Sequence, residues 1–266
     1  MTAVGWDGAH VLVTGASRGI GRAVAKAAAQ KGARLGLVAR HETELRAVLD
    51  EIGGRGAIAV ADVSVREQAE RAVSQIEADL GSIDIVVANA GVGCYGAFID
   101  SDPVVFERLL KVNVLGTMYV LRAALPAMVE RRHGQLVVIG SVAGRMAAPF
   151  ESVYSATKFA EVGLAEALAV ELSAFGIQVA MVNPGPVDTG FFEARGHAYT
   201  RTVPKKASPQ RVAEAVIGAV DRSRLEQFVP RWLRATLILR HLAPQLYEVG
   251  IRRSFKTELA ELEQSR

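Results

Sequence analysis

What most constrains this chain is its rhythm: short runs of Val, Ile, Leu and Ala recur along it, each followed by a longer amphipathic segment. Residues 10–14, 34–39, 57–61, 83–89, 135–139 and 177–183 have the length and branched content of strands. Residues 19–31, 42–52, 64–80, 103–130 and 152–175 carry helical periodicity. The apolar runs hardly alternate with polar residues, as expected when helices cover both faces of a parallel sheet. Strict strand–helix alternation therefore predicts an α/β fold with a doubly wound parallel sheet and right-handed crossovers.

Boundary residues sharpen this reading. Ser64 followed by Glu67 fits a capping box, and Asp102-Pro103 and Ser208-Pro209 each place a capping side chain before a proline at the first helical position. The only long stretch without periodicity, 184–207, reads as a lid. We expect a single catalytic domain over 1–230 and a helical extension over 231–266.

Composition limits the function classes. Half of the 266 residues are apolar and 22% are charged, which excludes a disordered or low-complexity chain. Cys94 is the single cysteine, so no intrachain disulfide forms, no metal site is expected, and a reducing, cytoplasmic setting fits best. The first eight residues lack the basic and apolar regions of a signal peptide. No run of about 18 consecutive apolar residues occurs, so no spanning helix is expected. Residues 231–266 hold seven Lys/Arg against four Glu, which accounts for the whole net charge of +3. A balanced body argues against nucleic acid as a partner.

Thr14-Gly15-Ala16-Ser17-Arg18-Gly19-Ile20-Gly21 leads from the first strand into a helix. Glycines there let backbone N–H groups and a positive helix end approach a pyrophosphate, although glycines also mark ordinary strand-to-helix turns. The second strand ends at Ala39-Arg40, where an NAD enzyme normally carries a carboxylate for the ribose 2′-hydroxyl. Arg18 and Arg40 without that carboxylate favour a 2′-phosphate, hence NADP(H).

Tyr154 and Lys158 stand four apart in a helical segment, on one face. At ~4 Å and an effective dielectric near 20 their attraction is roughly 4 kcal/mol, about three pKa units, so Lys158 is expected to bring the phenol toward working pH. Ser141 follows the fifth strand, and Asn89-Ala90-Gly91 the fourth. All belong at the C-terminal edge of the sheet, where ligands bind in open α/β folds.

With TGASRGIG (14–21), Asp62-Val63, NAG (89–91), Asn113 in KVNVLG, Ser141, YSATK (154–158) and PGPVDT (184–189), the chain resembles a classical short-chain dehydrogenase/reductase over roughly 6–229. The resemblance implies a Rossmann fold with seven parallel strands, the last near 225–229, and a homodimer or homotetramer. It implies catalytic residues Asn113, Ser141, Tyr154 and Lys158. Tyr154 would exchange the proton, Ser141 orient the substrate oxygen, Lys158 lower the Tyr154 pKa and hold the nicotinamide ribose, and Asn113 help hold a water. Cofactor contacts would fall on Gly15, Ser17, Arg18, Gly19, Ile20, Gly21, Arg40, Asp62, Val63, Asn89, Ala90, Gly91, Tyr154, Lys158, Pro184, Gly185, Val187 and Thr189. Hydride would pass directly between the nicotinamide and a ketone or secondary alcohol.

Cys94, Met146, Phe150, Phe191 and Phe192 stand beside the motif loops and are expected to face substrate, with Tyr95, Ala143 and Pro149 near them. Their apolar character suits a lipophilic carbonyl or alcohol, steroid-like or fatty-acyl-like. A 3-oxoacyl-carrier-protein reductase is the neighbouring reading, and a non-catalytic NADP(H)-binding protein the reading from another class. His197 reads as a surface residue. In the extension, Arg231, Arg234, His241, Gln245 and Arg252 form a stripe beside apolar Trp232, Leu233, Leu237, Leu239, Leu242 and Leu246, with a break at Pro244. Three readings stay open for it: packing over the pocket, a subunit interface, or peripheral membrane contact.

Overall fold

In a computed structural model, which describes residues 4–222 and 224–264, the predicted alternation becomes one seven-stranded parallel sheet. The strands are β1 (His10–Thr14), β2 (Arg34–Ala39), β3 (Gly56–Val60), β4 (Ile85–Ala88), β5 (Gly134–Ile139), β6 (Ile177–Pro184) and β7 (Glu226–Val229). Their order is β3-β2-β1-β4-β5-β6-β7, so the direction of winding reverses between β1 and β4. That reversal opens a crevice at the carboxyl ends of the strands.

Between the strands run α1 (Gly19–Gln30), α2 (Glu42–Glu51), α3 (Arg66–Leu80), α4 (Pro103–Leu109), α5 (Gly116–Arg131), α6 (Ser152–Glu171), α7 (Phe191–Ala194) and α8 (Pro209–Arg222). Alternate residues of each strand feed two cores. Val11, Val13, Leu35, Leu37, Ile85 and Val87 pack with α1, α2 and α8 on one face. Leu12, Val38, Val86, Leu136, Val138 and Met181 pack with α3, α5 and α6 on the other. Burial of both faces is the physical reason the strand sequences carry no polar alternation.

Helix starts follow their caps in two of three places. Asp102 Oδ1 accepts from the Val104 N–H at 2.9 Å and Ser208 Oγ from the Arg211 N–H at 3.3 Å. The capping box at Ser64 does not form. Ser64 donates instead to Asp62 Oδ1 at 2.7 Å, and α3 begins two residues later. The long helix expected over 103–130 is also divided, because a wider π-helical turn, Leu110–Leu115, interrupts it. By length and composition the 103–131 run could cross a bilayer, yet Val120, Leu121, Ala124 and Met128 are built into the sheet's core.

The extension forms α9 (Leu233–Leu242), α10 (Pro244–Ser254) and α11 (Lys256–Gln264). Pro244 opens α10, so the stripe read through it is split between two helices.

Candidate active site

A cleft of about 690 Å³ lies over the crevice and reaches from α2 to the C-terminal helices. Its floor is the loop between β1 and α1. Gly15 sits at φ +61°, and α1 starts with no side chain capping its first turn, which leaves that end of the helix available to an anion. A Cβ on Gly21 would lie 2.3 Å from the Gly15 carbonyl oxygen, and one on Gly15 would lie 2.9 Å from Asn89 Nδ2. Only bare backbone fits there, so the cradle suits a pyrophosphate.

Asn89 builds this floor from below. Its Nδ2 donates to the Thr14 carbonyl at 2.9 Å and its backbone N–H to Thr14 Oγ1 at 3.0 Å, tying the end of β4 to the glycine loop. Gly15, Ser17, Arg18, Gly19, Ile20, Arg40, Asp62, Val63, Asn89, Ala90, Gly91, Pro184, Gly185, Val187 and Thr189 all line the cleft. Gly21 does not; it is buried in α1, where its missing side chain permits the close turn. Arg18 and Arg40 stand exposed at one end, and among the described residues neither is held by an ion pair. Glu44, on the first turn of α2, lines the same end, a contact that the helical periodicity of 42–52 does not reveal.

Ser141, Tyr154 and Lys158 line the middle of the cleft. Ser141 follows β5, its Oγ accepts from the Ala143 N–H at 3.1 Å, and it draws the Tyr154 pKa downward. Lys158 Nζ sits 5.9 Å from the Tyr154 ring centroid. The Tyr154 phenol is nevertheless pushed above its usual range, because burial outweighs the opposing pull of Lys158 and Ser141. This corrects the expectation that the ammonium would win. Asn113 lies outside the cleft wall. Carried inward by the π-helical turn, its amide accepts from the Val92 N–H at 2.8 Å and donates to the Val92 carbonyl at 2.9 Å and Thr157 Oγ1 at 3.0 Å. Those bonds fix the loop after β4 against α6, just beside Tyr154 and Lys158.

Of the residues expected to meet substrate, Met146, Phe191 and Phe192 line the cleft, as do Ala143 and Pro149. Cys94 does not. It packs, half-buried, against the small cluster of Leu109, Ala143 and Tyr154, and burial pushes its thiol up. Phe150 is also off the wall: held at φ +63°, it stacks between Tyr95 at 5.8 Å and Phe255 at 6.1 Å and so joins the catalytic side to the C-terminal helices. His197 is exposed, with its ring stacked 3.9 Å from Tyr95.

The outer wall comes from segments far apart in sequence. The 184–207 segment is pinned at both ends by a bridge between Val187 and Ala207 and carries α7 across the cleft. Arg201 anchors α11 to it, donating to Glu258 at 2.6 Å with its guanidinium 3.5 Å above the Phe255 ring. Trp232, Leu233, Leu239, Leu246, Ile251 and Phe255 complete the lining. Packing over the pocket is thus what the inner side of the extension does, while Leu242 on its outer side remains 80% exposed.

One residue escaped sequence reasoning altogether. Glu161, 2% exposed, holds Lys158 Nζ through both carboxylate oxygens at 2.8 and 3.0 Å. A signal existed: 154, 158, 161 and 165 share one helical face, and that face is buried.

Comparison with known proteins agrees with this geometry. Residues 9–200 match the family model described as short chain dehydrogenase. The chain is 37% identical over 188 residues to a short chain dehydrogenase of the fungus Pseudocercospora fijiensis, covering 69% of this chain and 61% of that relative's length. It is 35% identical over 224 residues to a 3-ketodihydrosphingosine reductase of Bos taurus, covering 79% of this chain and 68% of the relative. Among solved structures, a short chain dehydrogenase/reductase from Burkholderia phymatum in complex with NAD superposes at a TM-score of 0.84, with 26% identity over 91% of this chain and 96% of the other. An alcohol dehydrogenase from Thermococcus sibiricus complexed with 5-hydroxy-NADP gives 0.75, with 28% identity over 83% and 95%.

Proposed function

The chain belongs to the short-chain dehydrogenase family, and from that premise we propose that it is an NADPH-dependent reductase of lipophilic ketones. The observation that carries the proposal is the single cleft in which a glycine cradle, Ser141, Tyr154 and Lys158 stand beneath an apolar wall of Phe191, Phe192, Leu239, Leu246 and Phe255. The nicotinamide cofactor supplies the hydride. The chain's own residues do the rest.

The glycine loop and the start of α1 cradle the pyrophosphate. Arg18 and Arg40 offer two guanidiniums to a 2′-phosphate, and Glu44 supplies a carboxylate if the ribose carries a free hydroxyl instead. Ser141 holds the carbonyl oxygen, and Tyr154 gives that oxygen its proton. Burial raises the phenol's pKa and so favours the protonated form that a donor needs. An apolar wall excludes water around the carbonyl and rewards a long or polycyclic hydrocarbon body. Similarity to a 3-ketodihydrosphingosine reductase points the same way. A carrier-protein thioester is the less favoured substrate, because a basic docking patch is thin here: Lys205 is exposed, but Lys206 is 3.5 Å from Asp188.

The test is oxidation of NADPH and of NADH by the purified chain with long-chain 3-keto, steroidal, 3-oxoacyl-thioester and small polar ketones. We expect turnover with the lipophilic ketones and a preference for NADPH. NADPH that binds but is consumed with none of them would assign the chain to non-catalytic nucleotide binding.

A further inference from the structure

Glu161 is a buried charge that the chemistry above leaves unused. On stability grounds a carboxylate is a poor choice there, since a buried ion pair is often no more stabilising than well-packed apolar side chains of similar volume. Its surroundings are specific. The Lys158 ammonium has three N–H donors. Glu161 receives it at 2.8 and 3.0 Å, and the Ile139 carbonyl of β5 receives it at 3.0 Å. The lysine that faces Tyr154 is therefore held from behind by a carboxylate one turn further along the same helix.

We propose that Glu161 is a positioning residue of this enzyme: by fixing the Lys158 ammonium and cancelling part of its field, it limits how far Lys158 acidifies the Tyr154 phenol. The inference rests on the reading of Tyr154 as the proton donor. It extends that reading by naming a group that acts on the donor through Lys158.

The electrostatics run in one direction. Burial raises the Tyr154 pKa most; Lys158 opposes it, and Glu161 adds a smaller push upward. Burial lifts Glu161 itself to about 7, with Lys158 opposing the rise, so its charge changes within the working range of an enzyme. Below about 7 Glu161 is neutral and Lys158 acts on the phenol in full; above it the carboxylate offsets that pull. Other charges near the cluster are already committed. Glu151, at the start of α6, also raises the Tyr154 pKa and is paired with Arg195 at 2.5 Å. Arg145, beside the turn packed on Lys158, is held by Glu166 and Glu226. Gly144, against the Lys158 backbone, and Asn113, bonded to Thr157, are neutral.

The experiment is the pH profile of kcat/KM for wild type and Glu161→Gln, in both reaction directions. Reduction needs the protonated phenol and falls as pH rises through its pKa; oxidation needs the phenolate and rises there. Removing the carboxylate charge should move both limbs to lower pH by about one unit, the scale of a charge interaction across a helix turn in a partly screened interior. Wild type should show a second inflection near neutral pH that Glu161→Gln lacks. A purely structural role would lower the rates and leave both limbs in place. Superimposable profiles overturn the proposal. The same shift can be read without turnover, from tyrosinate absorbance of each protein minus that of its Tyr154→Phe counterpart. Turnover that survives Tyr154→Phe would overturn the proton-donor reading itself, so the two failures are distinguishable.

Discussion

The two halves of the cleft are built by different means. The cofactor half is backbone: a glycine turn, a helix start and strand ends, locked by Asn89 and Thr14 at about the lengths of ordinary hydrogen bonds. The substrate half is side chain: α7, α9 and the end of α10 lay Phe191, Phe192, Leu239 and Phe255 across the opening. Where backbone makes the contact, single atoms decide whether a ligand fits. Where apolar side chains make it, the loss of one is shared among several neighbours.

That contrast ranks the consequences of substitution. The largest should follow Gly21→Ala, whose new methyl carbon would meet the Gly15 carbonyl oxygen at 2.3 Å. Loop and helix must separate, and calorimetric titration should show NADPH affinity lost by at least about 100-fold, with reduced stability of the order of 1–3 kcal/mol. Retained affinity would mean that the cradle is not the binding surface. Next comes Arg18→Ala with Arg40→Ala, which should weaken NADPH by roughly 10- to 100-fold, the range of charge-assisted phosphate contacts, while leaving NADH nearly unchanged. Equal loss of both nucleotides would instead assign the arginines to general cation work, and Glu44 would become the ribose contact. The smallest is Phe255→Ala. It removes one ring from the outer wall and the platform under Arg201, so KM for a lipophilic ketone should rise by about 3- to 10-fold while NADPH binding holds. A fall in NADPH affinity of the same size would break the division between the halves.

Legibility in the sequence follows the same line. Backbone-made features leave local marks: glycines at fixed spacing, prolines after capping residues, and buried runs without alternation that placed the six strands β1 to β6 within about two residues. Side-chain-made features depend on partners far along the chain. Phe150 reads as a wall residue until Tyr95 and Phe255 are seen to clasp it, and Cys94 reads as exposed to substrate until it is seen to pack against Leu109 and Tyr154. Ser64 shows that even a local mark can be diverted, since Asp62 two residues away competes for its hydroxyl. Glu161 was overlooked because a Glu three residues after a Lys is usually a solvated helix pair; only burial turns that spacing into a functional contact. Balance between burial and attraction at Tyr154 was equally out of reach, because sequence supplies the charge and not the depth at which it acts.

The most direct test of the account separates binding from chemistry at Tyr154. NADPH affinity by calorimetry and ketone-dependent NADPH oxidation should be measured side by side for wild type and Tyr154→Phe. The account predicts a dissociation constant within about twofold of wild type and a kcat lower by 10²- to 10⁴-fold, the usual contribution of a positioned proton donor. A variant that binds NADPH and still turns over the ketone at the wild-type rate would contradict it.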